Sequence, residues 1–505
     1  MKKATNEKKV SAYRRIVSST AVFGSAQVLN ILVNIIRGKL VAYILHSTGM
    51  GLSNIYSTAA NTIQQFSMMG LNISAVPSIS QADSENNQQI LDYTIRIVRR
   101  IILIVSVLGL VATLALSPIL SKVSFNDHSH TFYFLLLSIA VFFNVMGLGE
   151  TAVMQGLRKY KLLAICSTIP PLCGLLLSIP IYFIWGTEGI IPAMIVGSII
   201  YFIAIRFLSY RHKTVQFEKP KNITMKDIWQ HGRGIIQTGA IITFGTLLGT
   251  LTTYALTAYI SNTGSVEDVG FYHASNIITG QYMGIIFSAM AADYYPNLSK
   301  LLKSDRHHAF KLVNQQTEII MLIMTPVAMM LIITAPLAIH LLLTDEFLRI
   351  ERMVCFIGMA SVFKAFCFPM DYIAYAKTDK IYIFWVETVW GCGKTLIIMG
   401  AFYYFLGLDG LGYGALCVSV IDVCVSCTLI PWRYGLRFSK KTITLVFIMS
   451  ALATVCLIGS LLPFALERYM VMGITTLIGI VLCIRGLNKR MDLRAAIMNR
   501  IKKQA

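Results

Sequence analysis

Runs of about 20 apolar residues, the length that crosses a hydrocarbon core of about 30 Å, follow one another along almost the whole of this chain. In lipid every backbone N–H and C=O must be satisfied within the chain, so only helices and closed barrels can span. Long uninterrupted runs, rather than short alternating segments, select helices. The 505 residues are 55% hydrophobic and only 13% charged, with a mean hydropathy of +0.65, against roughly 25% charged in soluble domains. No soluble core absorbs that much apolar surface. The expected fold class is therefore all-α, a polytopic membrane protein of about fourteen spans.

The basic residues orient those spans. The chain carries 44 Lys and Arg against 24 Asp and Glu. Only Arg37, Lys39, Lys122, Arg349, Arg352 and Arg468 fall on the side of the membrane opposite the N-terminus. Positively charged loops stay in the cytoplasm, so both ends are expected inside, and this bias explains the net charge of +20 without nucleic acid as a partner. The expected organisation is a basic N-terminus (1–15), a six-helix bundle (16–208), a cytoplasmic linker (209–234), a second six-helix bundle (235–432), two extra spans (433–487) and a basic tail (488–505). The linker's Met225–His231 end, carrying Trp229, has the character of an interfacial helix. The basic head, with Lys2, Lys3, Lys8 and Lys9, leads into a full-length span and not into the short apolar region of a cleavable leader. The ten cysteines lie in apolar runs, which argues for packing and against disulfides or a metal. Outer loops are too short for a catalytic domain, so no enzyme and no cofactor are expected.

Self-comparison finds an internal repeat. An offset of 219 carries Gly51 to Gly270, Pro77 to Pro296, Ser80 to Ser299, Arg158 to Lys377 and Lys161 to Lys380; an offset of 221 carries Gly189 to Gly410 and Phe23-Gly24 to Phe244-Gly245. Six spans separate the copies, an even number, so the repeats are parallel. The spans after Trp432 have no counterpart and should leave the transport route to the first twelve. Sites in repeat-built carriers lie near mid-membrane.

At this point the sequence resembles the Wzx-type polysaccharide flippases of the multidrug/oligosaccharidyl-lipid/polysaccharide exporter superfamily. The resemblance rests on Arg37, Ala42 and Leu45 leading to Gly51-Leu52 and Tyr56, on Pro77, and on the basic turn Gly156-Leu157-Arg158-Lys159 with its copy at Lys377. It implies two six-helix bundles, two extra C-terminal helices and alternating access of a cation-lined cavity. The implied cargo is an undecaprenyl-pyrophosphate-linked oligosaccharide such as an O-antigen unit, moved across a bacterial inner membrane. Membrane lipids, H+ or Na+ as coupling ion, and a polysaccharide polymerase or glycosyltransferases are the implied partners. Two departures stand out: the expected Leu-Gly before the second span reads Leu45-His46, and no arginine repeats Arg37 in the second half.

Charges at depth single out candidate site residues, because a lysine at the bilayer centre costs about 2.5–3.5 kcal/mol on insertion scales. Lys364 lies twelve residues from Arg352 and thirteen from Lys377, roughly 18–20 Å from either flank. Lys394 is equally deep on the next span. Each has an acid seven residues toward the cytoplasm, Asp371 and Glu387 respectively, which returns to nearly the same helix face. Asp422 is also deep, and Glu150 sits about 12 Å inside its span. Two readings compete: ion pairs that merely satisfy one another, or a wet cavity where Lys364 and Lys394 meet a pyrophosphate while Asp371, Glu387, Asp422 and Glu150 gate or couple. Arg37, near the outer interface, either snorkels or joins the anion site. Gly393-Lys394-Thr395 is no phosphate loop, since Thr388 stands where its first glycine is required. A cation-coupled multidrug antiporter of the same superfamily would use the acids instead of the lysines, and lipid II flipping is chemically close to the favoured reading.

Overall fold

The computed structural model describes residues 2–85, 87–211 and 225–491, with side chains left out for 1–28 and for scattered positions, several of them in 231–293. Most of the basic linker (212–224), the tail beyond 491 and the Trp229 side chain lie outside the described residues. No strand occurs among them. The helices are α1 (Lys2–Met68), α2 (Leu71–Ser84), α3 (Gln88–Phe125), α4 (Thr131–Gly156), α5 (Tyr160–Trp185), α6 (Ile190–Arg211), α7 (Met225–Thr263), α8 (Val266–Ser304), α9 (Arg306–Leu342) and α10 (Glu351–Ala376). A short α11 (Lys380–Tyr382) runs through a π-helix (Ile383–Trp390) into α12 (Gly391–Tyr434), followed by α13 (Lys440–Ser460) and α14 (Ala465–Met491). Eight stretches among the described residues are long and apolar enough to cross a membrane, and two of them, Leu162–Tyr210 and Lys380–Tyr434, are long enough for two passes.

The chain forms two compact units, Met1–Gly270 and Phe271–Ala505. The division falls inside α8 and not in the linker, because α7 packs on α1, α2 and α3 and so groups with the first unit. That unit is built on α3 against α4, α4 against α6, and α5 against α6 and α1. Within it the buried Glu150, 3% exposed, accepts a hydrogen bond from Arg99 Nη2 at 2.9 Å and is also bonded by Arg206; Arg99 reaches Ser209 Oγ at 3.2 Å as well. One carboxylate thus ties α3, α4 and α6 together.

A crossed backbone contact also lies in the first unit. A Cβ on Gly51 would sit 1.9 Å from the Val266 carbonyl oxygen, and one on Gly270 would sit 2.0 Å from the Ser47 carbonyl oxygen. Both Ser47 to Val266 and Gly51 to Gly270 are steps of 219, so equivalent turns of the repeat interlock reciprocally. Thr48 and Glu267, another pair at that offset, are joined by a hydrogen bond of 3.3 Å from Thr48 Oγ1 to the Glu267 carboxylate.

Elsewhere the geometry refines the repeat. Amides of Leu157, Arg158 and Lys159 donate to Val153, Gln155 and Met154, and those of Lys377, Thr378 and Asp379 donate to Ile373, Tyr375 and Ala374. Every step is 220, and the left-handed residue is Arg158 (φ 54°) in one copy and Thr378 (φ 52°) in the other. The sequence pairing of Arg158 with Lys377 and of Lys161 with Lys380 is therefore one residue out of register: charge similarity was matched where backbone geometry places Thr378. Gly186 (φ 56°) and Gly407 (φ 62°), where the chain bends between α5 and α6 and within α12, keep the step of 221.

His46 breaks α1 with φ 58° and ψ −166°, a region that glycine occupies freely and other residues enter at a cost of about 1–3 kcal/mol. This is the position where a glycine was expected from the family resemblance. His46→Gly should consequently stabilise the protein by about 1 kcal/mol, read as a rise in thermal midpoint of detergent-solubilised protein, provided the gain exceeds the entropy glycine adds to the unfolded chain. An unchanged or lowered midpoint would show that the contacts of the histidine ring outweigh the strain.

In the second unit α10 packs on α9 and α12, and α13 and α14 pack on each other and on α9. Polar contacts hold the terminal pair there. Asn314 of α9 accepts the Ser439 amide at 2.8 Å and donates to the Arg437 carbonyl at 3.2 Å, while Thr442 donates to Glu318 at 2.7 Å. At the other end Arg468 is bonded to Glu351.

Candidate functional site

Helix α10 brings Lys364, Cys367, Phe368 and Asp371 to one stripe by the spacings of 3, 4 and 7 that share a helical face. Pro369 sits in that helix, and its carbonyl accepts the buried Tyr294 hydroxyl at 2.7 Å. The next span approaches through the π-helix, where Thr388 Oγ1 donates to the Ile383 carbonyl five residues back at 3.0 Å. This wider winding carries Glu387; single π turns inside α-helices occur frequently at functional sites. Regular α geometry resumes at Gly391 and places Lys394, Thr395 and Met399. After the bend at Gly407 the returning half of α12 contributes Ala415, Val418, Asp422, Val425 and Ser426, again a helical stripe.

These side chains, with Tyr382, Val386 and Phe287, enclose a cavity of about 460 Å³ within the second unit. Five of the seven sequence-derived candidates line it: Lys364, Lys394, Asp371, Glu387 and Asp422. Their roles inside it are unequal. Lys394 is 7% exposed and bonded to Asp422. Asp371 accepts the Ser426 hydroxyl at 3.1 Å. Lys364 is exposed and has neither a hydrogen bond nor an ion pair among the described residues. Two ammonium groups thus face three carboxyl groups, so the fully ionised cavity carries a formal charge of −1 before any cargo enters.

Glu150 is not among the lining residues. It belongs to the α3–α4–α6 clasp of the first unit, and the expectation that it joins the cavity acids is corrected: depth alone drew attention to it, and Arg99 and Arg206 satisfy it locally. Arg37 is exposed on α1 in the first unit and does not line the cavity either. Sequence reasoning missed Ser426, Thr395 and Tyr382. The stripe at 415, 418, 422, 425 and 426 was the signal that could have found Ser426.

At the turn leading into α11, Asp379 grips Arg433 through two hydrogen bonds of 2.6 and 3.0 Å and accepts the Tyr434 hydroxyl at 2.8 Å. The Arg433 guanidinium holds its carboxyl well below the usual carboxylate range. This cluster fastens the two ends of the cavity hairpin to each other. Among the described residues no three His, Cys, Asp or Glu side chains come together as a metal site, and the cysteines are unpaired thiols.

Fold and cavity define a class: a multi-pass helical membrane protein with a charged cavity among the spans of its second unit. The chain is similar over 94% of its length to a structure of the lipid II flippase MurJ in an inward closed conformation, of which 99% is covered, at 11% identity and a TM-score of 0.66. It is similar over 82% of its length to an inward-facing multidrug resistance MATE family transporter of the MOP superfamily, 99% of which is covered, with 14% identity and a TM-score of 0.58. A Vibrio cholerae MATE transporter matches over 85% of this chain and 100% of its own, with 15% identity and a TM-score of 0.54. Residues 40–352 match the polysaccharide biosynthesis protein family, and the chain belongs to it. No curated protein matches the chain. The resemblance drawn from Gly51, Tyr56, Pro77 and the basic turn is borne out.

Proposed function

We propose that this protein flips an undecaprenyl-pyrophosphate-linked oligosaccharide from the cytoplasmic to the outer leaflet of a bacterial inner membrane. In this reading both termini are cytoplasmic, the copies 16–208 and 235–432 move against each other in alternating access, and the cavity of the second unit holds the diphosphate headgroup. The observation that carries it is Lys364, an ammonium group on a membrane-spanning helix, exposed in a cavity and without a hydrogen-bond or ion-pair partner among the described residues, in a chain of the polysaccharide biosynthesis family. A lysine at that depth is expensive, and a phosphate oxygen is the partner that a compact point charge suits.

The cavity's formal charge of −1 adds a requirement. An anion enters more readily when one of Asp371, Glu387 or Asp422 is protonated or neutralised, which gives H+ or Na+ a part in the cycle. The membrane potential assists export by about 2.3 kcal/mol per charge per 100 mV if headgroup charge crosses uncompensated. Deleting the gene should make a lipid-linked glycan accumulate on the inner leaflet while surface polysaccharide disappears, measured by lipid extraction and mass spectrometry. Normal surface polysaccharide with no accumulated intermediate would overturn the proposal.

A second reading, a MATE-like multidrug antiporter, is favoured by the three carboxyl groups and by Phe287, Phe368 and Tyr382 in the lining. It predicts drug sensitivity on deletion with unaltered surface polysaccharide.

A further inference from the structure

The two cavity lysines stand in different states, and the difference has a consequence for selectivity. Lys364 is open to the cavity. Lys394, one membrane pass away, is closed: its side chain is 6% exposed and its ammonium group is taken by Asp422, whose side chain keeps 30% exposure. An anion entering the cavity can meet Lys364 at once. It can meet Lys394 only by displacing Asp422, and the exposed edge of Asp422 leaves that carboxylate a place in the water of the cavity.

We infer that the Lys394–Asp422 ion pair is a latch that the cargo's headgroup must open, so that Asp422 sets a charge threshold and makes the site select a diphosphate over a monophosphate. The inference rests on the proposal that the cavity receives the headgroup. A buried ion pair is held by the large cost of leaving either charge alone, so it opens only when the incoming group replaces the lost partner nearly in full. A monophosphate engaged by Lys364 has little charge left to compete with Asp422. A diphosphate has a second phosphoryl group, which can satisfy Lys394 while the first stays on Lys364. Competition by a resident carboxylate is selectivity achieved by a penalty against the weaker ligand, not by a further attraction for the stronger one.

The test uses the full-length protein in lipid nanodiscs with farnesyl diphosphate and farnesyl monophosphate as probes, and reads both dissociation constants by calorimetry or intrinsic tryptophan fluorescence. Wild type should prefer the diphosphate. Asp422→Asn, which removes the direct ion-pair partner of Lys394 without changing the shape of the site and leaves only the more distant Glu387 and Asp371 as its carboxyl neighbours, should tighten monophosphate binding by about fivefold or more and diphosphate binding by less, narrowing the preference. Lys394→Arg keeps the positive charge and grips Asp422 more firmly through its fork; it should weaken diphosphate binding, and it carries the test if Asp422→Asn fails to fold. Lys364→Ala should weaken both probes.

If Lys364→Ala weakens binding but Asp422→Asn leaves the preference as wide as before, or Lys394→Arg binds the diphosphate as tightly as wild type, the latch is wrong and the anion site stands. If wild type binds neither probe, or Lys364→Ala binds both as wild type does, the headgroup assignment falls and the latch with it.

Discussion

Replacing Lys364 by alanine should lower delivery of the lipid-linked saccharide by about tenfold or more at unchanged protein level in the membrane, since a hydrogen bond to a charged group is worth about 1.5–3 kcal/mol. Lys364 has no structural partner whose loss would confuse the result among the described residues, and it stands exposed in the cavity. Lys394→Ala should also impair delivery, with a contribution from Asp422 left uncompensated beside the headgroup. The double substitution should be worse than either. Lys364→Arg should retain most delivery, because a positive charge at that point is what matters, and Lys364→Glu should be worse than alanine because it repels the anion. Surface polysaccharide, quantified against immunoblotted membrane protein, is the readout. Wild-type delivery by both alanine variants would leave the lysines as structural groups and move the search for the anion site to Arg37.

Much of this site was legible before any coordinates, for a physical reason: lipid makes buried charge so costly that depth along a helix is itself informative. That argument found Lys364, Lys394, Asp371, Glu387 and Asp422, all of which line one cavity. It failed for Glu150, where depth was right and the partners lay on other helices, at Arg99 and Arg206. The direct ion-pair partner of Lys394 was not readable in the same way: the seven-residue spacing sets Glu387 near it on its own helix, and Asp422 on the returning half of α12 bonds its ammonium group. Intrahelical spacing is readable from sequence, whereas which helices touch, and at which rotation, depends on packing. The π-helix at Ile383–Trp390 adds to that limit, because the ideal count of 3.6 residues per turn does not hold through the segment that carries Glu387. The repeat shows the same limit. Gly51 and Gly270 were paired correctly because close approach demands glycine at both, but Arg158 was paired with Lys377 by charge when the shared left-handed turn sets it against Thr378.

Gly51→Ala and Gly270→Ala should each impair transport severely, and to a similar degree, although an added methyl group is the smallest change a glycine can suffer. At both positions the new Cβ would meet a backbone carbonyl oxygen, Val266 at 1.9 Å and Ser47 at 2.0 Å, and a backbone atom cannot rotate out of the way as a side chain can. The turns must separate, at a cost typical of overpacking, about 1–3 kcal/mol. Because the two contacts are reciprocal, either substitution forces the same separation, and combining them should add little to the first, which is the non-additivity expected of sites that share one displacement. Gly249→Ala, in the same unit but with nothing within 4 Å of the added Cβ, should transport normally and be at least as stable. On the proposed alternating access, in which the two copies move against each other, this contact between equivalent turns of the repeat parts and re-forms in each cycle. An alanine at either turn then shifts the population toward the parted state instead of unfolding the protein. Transport lost with the thermal midpoint kept within a few degrees is the expected pattern for Gly51 and Gly270. A large fall in midpoint matching the loss of transport would instead make the crossed contact a fixed part of the first unit's core, and wild-type transport by both variants would show that the turns do not need to meet at all.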